Sequence, residues 1–179
     1  MAKSDFKFKI CLLGEGSVGK TSLVYRFVEN KFQEDYKATL GVSMLQKDLK
    51  IDSNSVSANI WDLGGQDSFK NLRKLYLEGS KGALIIFDLT NRESFEKLEA
   101  WIQDFRGHGE DKPFCLIGNK IDLKDQIVVT EEESCLLAKE HGVNMIITSA
   151  KTGKNVEKAF INLIKEVLEN ALKEPAVIE

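Results

Sequence analysis

Gly14-Glu15-Gly16-Ser17-Val18-Gly19-Lys20-Thr21 fits the pattern G-x-x-x-x-G-K-[ST], a glycine-rich turn that follows a strand, opens a helix and turns its backbone N–H groups toward phosphate oxygens. Its flanks meet both conditions. Before it, Phe6, Phe8, Ile10 and Leu12 alternate with Lys7 and Lys9 as in a strand; after it, Leu23, Phe27 and Val28 begin a helical apolar stripe. Gly14 and Gly19 allow the tight turn without a Cβ clash. Lys20 supplies charge for β- and γ-phosphates, and the Thr21 hydroxyl is a hard oxygen suited to Mg²⁺. By itself the pattern implies a nucleoside triphosphate and no particular base.

Downstream, helical and strand-like stretches alternate without linkers, repeats or low-complexity tracts. Residues 43–51 and 55–62 read as two strands joined by a turn at Asp52-Ser53-Asn54. Apolar runs at Ala83–Phe87, Phe114–Ile117 and Val143–Ile147 lack alternation, as strands of a parallel sheet buried on both faces do. Between them, Asn91 caps a predicted helix over 92–106, and Thr130-Glu131-Glu132-Glu133 is a capping-box sequence for a helix running to His141-Gly142. Val156, Phe160, Leu163, Ile164 and Val167 form the apolar face of a last helix. With right-handed crossovers this order gives an α/β domain: a six-stranded, mainly parallel sheet with helices on both faces.

On that framework Gly14 follows the first strand, Asp62 ends the third, Asn119 follows the fifth and Ser149 follows the last. Ligands of an open parallel sheet bind at that edge. Motifs more than a hundred residues apart therefore converge on one crevice. Asn119-Lys120-Ile121-Asp122 and Ser149-Ala150-Lys151 name the base as guanine. The Asp122 carboxylate can accept from the N1–H and 2-amino groups that guanine has and adenine lacks, and a buried acceptor left unpaired costs about 1–3 kcal/mol.

With these motifs in order and at family spacing from about residue 6 to 172, the chain resembles the small GTPases of the Ras superfamily, one G domain of the P-loop NTPase type with short tails. Ala38-Thr39-Leu40-Gly41-Val42 and Thr148-Ser149-Ala150-Lys151 look most similar to the Rab branch, whereas Trp61-Asp62-Leu63-Gly64-Gly65-Gln66-Asp67 carries the double glycine of Arf-like proteins in place of Thr-Ala-Gly. The resemblance implies that Asn119 braces its loop and contacts guanine, that the Lys120 stem and Phe32 cover its two faces, and that the Ala150 N–H meets its carbonyl oxygen. It implies two switch regions, Gln33–Gly41 and Gly64–Leu75. Thr39 would complete Mg²⁺ coordination, Asp62 would hold the ion through water, the Gly65 N–H would touch the γ-phosphate, and Tyr36 would close over the phosphates or remain a loop tyrosine. Gln66 aligns with the residue that orients the attacking water. No arginine lies in the first switch, where Lys37 is the nearest cation. The family pattern then implies slow intrinsic turnover, on the order of 10⁻⁴ s⁻¹, and an arginine supplied in trans, for which Gly16 leaves room. Arg73 reads as a helix-surface residue. Effectors, exchange factors and GTPase-activating proteins are the implied partners. Trp61 and Tyr76 match two members of the Rab effector-binding aromatic triad, and Met44 stands at the third.

Composition narrows the field further. A net charge of −3, with 42% apolar and 30% charged residues in 179, argues for an ordinary globular domain and against a nucleic-acid or anionic-membrane surface. Cys11, Cys115 and Cys135 are not paired at metal-ligand spacing and read as buried, reduced thiols of a cytoplasmic protein. His108 and His141 read as loop or helix-end residues. No cysteine follows Cys135 and residue 2 is alanine, so no lipid anchor is visible: peripheral membrane attachment would require a lipidated tail beyond this sequence. Two other classes share part of the pattern. A P-loop nucleotide kinase would have a lid with substrate-binding arginines and no use for Asn119–Asp122, and a non-hydrolysing binding module would not need Gln66, Thr39 and Lys20 together.

Overall fold

The eight residues ahead of the phosphate-loop sequence change character midway. In the computed structural model, which describes residues 5–33, 39, 41–65, 70–107 and 111–174, the first strand β1 (Phe6–Leu13) begins with alternating exposure and ends with Ile10 to Leu13 fully buried. Its position explains the change. The elements that follow are α1 (Lys20–Glu29), β2 (Val42–Ile51), β3 (Asn54–Leu63), α2 (Lys70–Leu77), β4 (Gly82–Asp88), α3 (Arg92–Glu96), α4 (Leu98–Arg106), β5 (Phe114–Asn119), α5 (Glu131–His141), β6 (Asn144–Ile147) and α6 (Val156–Lys173). The six strands form one sheet in the order β2-β3-β1-β4-β5-β6, parallel throughout except for β2 against β3. The expected mainly parallel, six-stranded α/β sheet is what the chain forms.

Side-chain alternation sorts the core into two layers. On one face Ile10, Leu12, Leu84, Ile86 and Ile117 pack with Leu23, Phe27, Phe160 and Leu163 of α1 and α6. On the other, Cys11, Leu13, Ile85, Phe87 and Leu116 pack with Leu98, Trp101, Ile102, Phe105 and Ala138 of α4 and α5. The expected stripe of α6, Val156 to Val167, lies entirely in the first layer. Edge strand β2 keeps one exposed face, and its residues alternate accordingly. It joins β3 by a two-residue turn in which Asp52 adopts a left-handed conformation (φ 54°) that aspartate tolerates.

Three local expectations need correction. The helix expected over 92–106 is two helices. The Ser94 hydroxyl accepts from the Asp88 N–H (3.0 Å) and donates to the Asn91 carbonyl (2.7 Å), which holds α3 against the end of β4, while Leu98 turns into the core. Lys97 (φ −83°, ψ −5°) absorbs the mismatch. The last strand starts at Asn144, one residue late, because the Val143 N–H is spent on the Ala138 carbonyl (3.0 Å) beyond the C-terminus of α5. Cys135 is exposed, unlike Cys11 and Cys115, because it lies on the outer side of α5. The capping box is present as expected: Thr130 Oγ1 accepts from the Glu133 N–H and Glu133 Oε2 accepts from the Thr130 N–H. No helix among the described residues is long and apolar enough to cross a membrane.

Candidate functional site

Parallel strands deliver their C-terminal ends to one edge, and the four motif loops meet there. At the base end, Asn119 closes β5 and is 1% exposed. Its Nδ2 donates to the Val18 carbonyl (3.0 Å), while its Oδ1 accepts from Thr148 Oγ1 (3.1 Å) and the Ala150 N–H (3.2 Å). One side chain therefore stitches the phosphate loop to the loop after β6. The close approach demands glycine at 19, where φ is +100° and a Cβ would collide with the Asn119 amide. Lys120 has a left-handed backbone (φ 71°), and its ammonium donates to the Ser17 carbonyl (2.8 Å) and pairs with Asp88 (2.7 Å). Asp122 Oδ1 accepts from Ser149 Oγ (2.6 Å), which in turn accepts from the Thr152 N–H (3.1 Å). A cavity of about 400 Å³ lies among Phe32, Asn119, Lys120, Asp122, Ala150 and Lys151. These are the residues expected around a guanine ring.

The phosphate end is built differently. Lys20, 5% exposed, opens α1 and donates to the carbonyls of Gly14 (2.8 Å) and Glu15 (2.7 Å). Burial brings its pKa down to about 8, against the pull of Asp62 and Glu15. Thr21 Oγ1 donates to Asp62 Oδ2 and lies 2.7 Å from Thr39 Oγ1, which itself is 3.5 Å from the same carboxylate. Burial raises the Asp62 carboxyl pKa, opposed by its hydrogen bond to Thr21 and the charge of Lys20. Asp62 Oδ1 is buried with no hydrogen-bond partner among the described residues. Two hydroxyls and a carboxylate with a spare oxygen are hard donors, the kind that could hold Mg²⁺; no cluster of three or more His, Cys, Asp or Glu suited to a metal occurs among the described residues. Gly65 lies against the phosphate loop so closely that a Cβ would collide with the backbone of Glu15 and Gly16. Tyr36 and Gln66, expected as lid and catalytic residue, and Lys37 lie outside the described residues.

Glu15 also belongs to a cluster that local reading misses. Its carboxylate accepts from Trp101 Nε1 (2.9 Å) and pairs with Lys97 (3.1 Å), so the kink residue between α3 and α4 grips the phosphate loop. Arg73 stacks its guanidinium 3.7 Å from the centre of the Trp101 ring and pairs with Asp104 (3.0 Å). The sequence places Arg73 on a helix surface, but it is 7% exposed, because Trp101 and Asp104 of α4 receive it. The charged residue inside the phosphate loop is a signal that some partner exists, but Trp101 lies 86 positions away and reads locally as one more apolar position. On the face of the hairpin that borders the second core layer, Met44 is opposite Trp61 in register, and Trp61 lies 6.3 Å from Tyr76, ring centre to ring centre.

A family model described as the Ras family matches residues 9–169. The chain is 40% identical over 171 residues to the Ras-related protein Rab-21 of Bos taurus, covering 95% of this chain and 77% of that one. It is 41% identical over 167 residues to Rab-21 of Canis lupus familiaris, covering 93% and 75%, and equally identical to that of Homo sapiens, covering 93% and 74%.

Proposed function

This chain belongs to the Ras family as a Rab-like small GTPase, and from that premise we propose that it is a Mg²⁺-dependent switch whose two loops report whether GTP or GDP is bound. One observation carries the reading: Thr39 of the first loop, Thr21 of the phosphate loop and Asp62 of β3 bring their side-chain oxygens together beside the buried Lys20. A γ-phosphate and its metal would couple the first loop to the rest of the domain through that group, and their loss would release it.

Within this reading each residue has a task. The backbone of Gly14–Thr21 cradles the phosphates and Lys20 neutralises β- and γ-phosphate charge. Thr21 and Thr39 would hold Mg²⁺ through their hydroxyls and Asp62 would hold it through water, where the ion would supply positive charge facing the phosphate oxygens. The Gly65 N–H meets the γ-phosphate, and Gln66 orients the water that attacks it in line. Asn119, Lys120, Asp122, Ser149, Ala150 and Lys151, with Phe32 opposite, select guanine. Turnover is slow until a GTPase-activating protein supplies an arginine. Exchange factors and effectors read the two loops, the effectors across Met44, Trp61 and Tyr76, in a step of membrane trafficking.

Amide hydrogen exchange and single-turnover hydrolysis test the proposal together. With a non-hydrolysable GTP analogue, Gln33–Gly41 and Gly64–Leu75 should be better protected than with GDP, and Thr39→Ala should shrink that difference over Gln33–Gly41. Gln66→Leu should retain GTP while slowing hydrolysis about 10²-fold. Equal protection in both nucleotide states of the wild type would leave a binding module without a switch.

A further inference from the structure

Arg26 sits in the last turn of α1 and reaches the guanine side of the cleft across more than a hundred positions of sequence. Its Nε donates to the Ala150 carbonyl (2.8 Å) and its second terminal nitrogen to the Lys151 carbonyl (2.6 Å). The remaining terminal nitrogen lies 3.4 Å from the Asn30 carbonyl and 3.3 Å from Asn30 Oδ1. Asn30 ends α1 in a left-handed conformation, two residues ahead of Phe32, which lines the base cavity. One planar guanidinium thus joins both walls of that cavity: the loop after β6 and the segment leading to Phe32. Its fork matches two successive carbonyls in a way that a single ammonium cannot.

Ala150 is held from two sides. Its carbonyl is tied to Arg26, and its N–H is tied to Asn119 Oδ1. The adjacent turn continues this packing: at Gly153 (φ +85°) a Cβ would lie 3.6 Å from Arg26 Cδ. Without the guanidinium the peptide of Ala150–Lys151 keeps its tie to β5 and loses its tie to α1.

We propose that Arg26 is a positioning residue that sets the residence time of the guanine nucleotide, by fixing the Ala150–Lys151 peptide against the base and by linking that loop to the wall that carries Phe32. The inference rests on the guanine-nucleotide reading above. Because the link acts at the base end, it should govern GDP and GTP alike, unlike the threonine and aspartate oxygens at the phosphate end.

The test uses the full chain loaded with fluorescent GDP or with a fluorescent non-hydrolysable GTP analogue, and follows dissociation into excess unlabelled nucleotide. Loss of a charge-assisted hydrogen bond corresponds to about tenfold, so Arg26→Ala should release both nucleotides about tenfold faster, by the same factor. Arg26→Lys, able to reach one carbonyl, should fall between it and wild type. Hydrogen exchange should rise at residues 149–153 and 30–33, with the amides of α6 unchanged. Dissociation within twofold of wild type in both variants would overturn the proposal. So would acceleration accompanied by deprotection throughout α6, which would mean general loosening, or acceleration of one nucleotide alone. A wild type that fails to retain guanine nucleotide would instead overturn the functional reading.

Discussion

The two ends of the cleft are held together by different physics. At the base end Asn119, Asp122, Ser149 and Arg26 bond to the protein itself, mostly to backbone of another loop, and those atoms are paired. At the phosphate end burial works against charge: the Lys20 ammonium is brought down to about 8, the Asp62 carboxyl is pushed up, and one Asp62 oxygen has no protein partner among the described residues. A network of satisfied hydrogen bonds is rigid whatever it binds. A group of partly compensated charges responds to the charge of its ligand. Under the proposed reading, recognition of the base would call for a preformed shape, and sensing of the γ-phosphate would call for an electrostatic balance that one added phosphate can tip.

The largest effect should come from breaking base recognition. Asp122→Asn replaces an acceptor by an amide that suits the 2-oxo group of xanthine, and the preference for guanine over xanthine should fall about 10³-fold. Competition binding measures it, and an unchanged guanine preference would remove Asp122 from base readout. At the other end, Thr21→Asn exchanges a short hydroxyl for a bulkier amide. GTP affinity should fall relative to GDP affinity, on the order of tenfold to a hundredfold, because the triphosphate depends more on the ion. Parallel titrations with both nucleotides check this, and equal losses would erase the distinction between the ends.

A smaller effect should sharpen the boundary between them. Trp101→Phe keeps an aromatic face for Arg73 but removes the indole N–H that Glu15 Oε1 accepts. Stability should fall by about 1 kcal/mol in denaturant titration, with deprotection confined to the phosphate loop and α2. Spread of that deprotection to residues 149–153 would show that the ends are one unit. The smallest effect concerns α5, which lines no part of the base cavity. Arg92 and the Thr130 cap hold Glu133 down to about 2 from its usual 4.5. This lowered folded value adds stability that is full above about pH 4.5 and is lost as pH falls toward 2. The pair is solvent-exposed and salt-screened, so Glu133→Gln should slightly flatten the acid side of the thermal-stability profile and leave nucleotide dissociation at neutral pH unchanged.

Much of the site could be read directly because its parts are contiguous. Residues 14–21, 119–122 and 149–151 each place chemistry within one short stretch of chain, and local backbone preference decides how such a stretch turns. The hairpin and the Thr130–Glu133 capping box were legible for the same reason, as interactions closed within a few residues. Sequence is silent where the deciding partner is distant. Arg26 looks like any charged position of an amphipathic helix until the Ala150 and Lys151 carbonyls stand in front of it. Arg73 looks solvent-facing until Trp101 and Asp104 cover it, and residues 92–106 look like one helix until Ser94 is drawn onto β4.

Sequence by itself determined the order of the strands, the sheet edge where the motifs gather, and the kind of ligand they suit, because hydrophobic period, turn residues and motif spacing are local properties of the chain. Tertiary structure alone decided which helix ties down the loop after β6, what the Glu15 carboxylate grips, and which charges are buried enough to shift their pKa. Those outcomes depend on dielectric surroundings and on atoms brought from up to 125 positions away, and neither exists until the sheet has closed around its two layers.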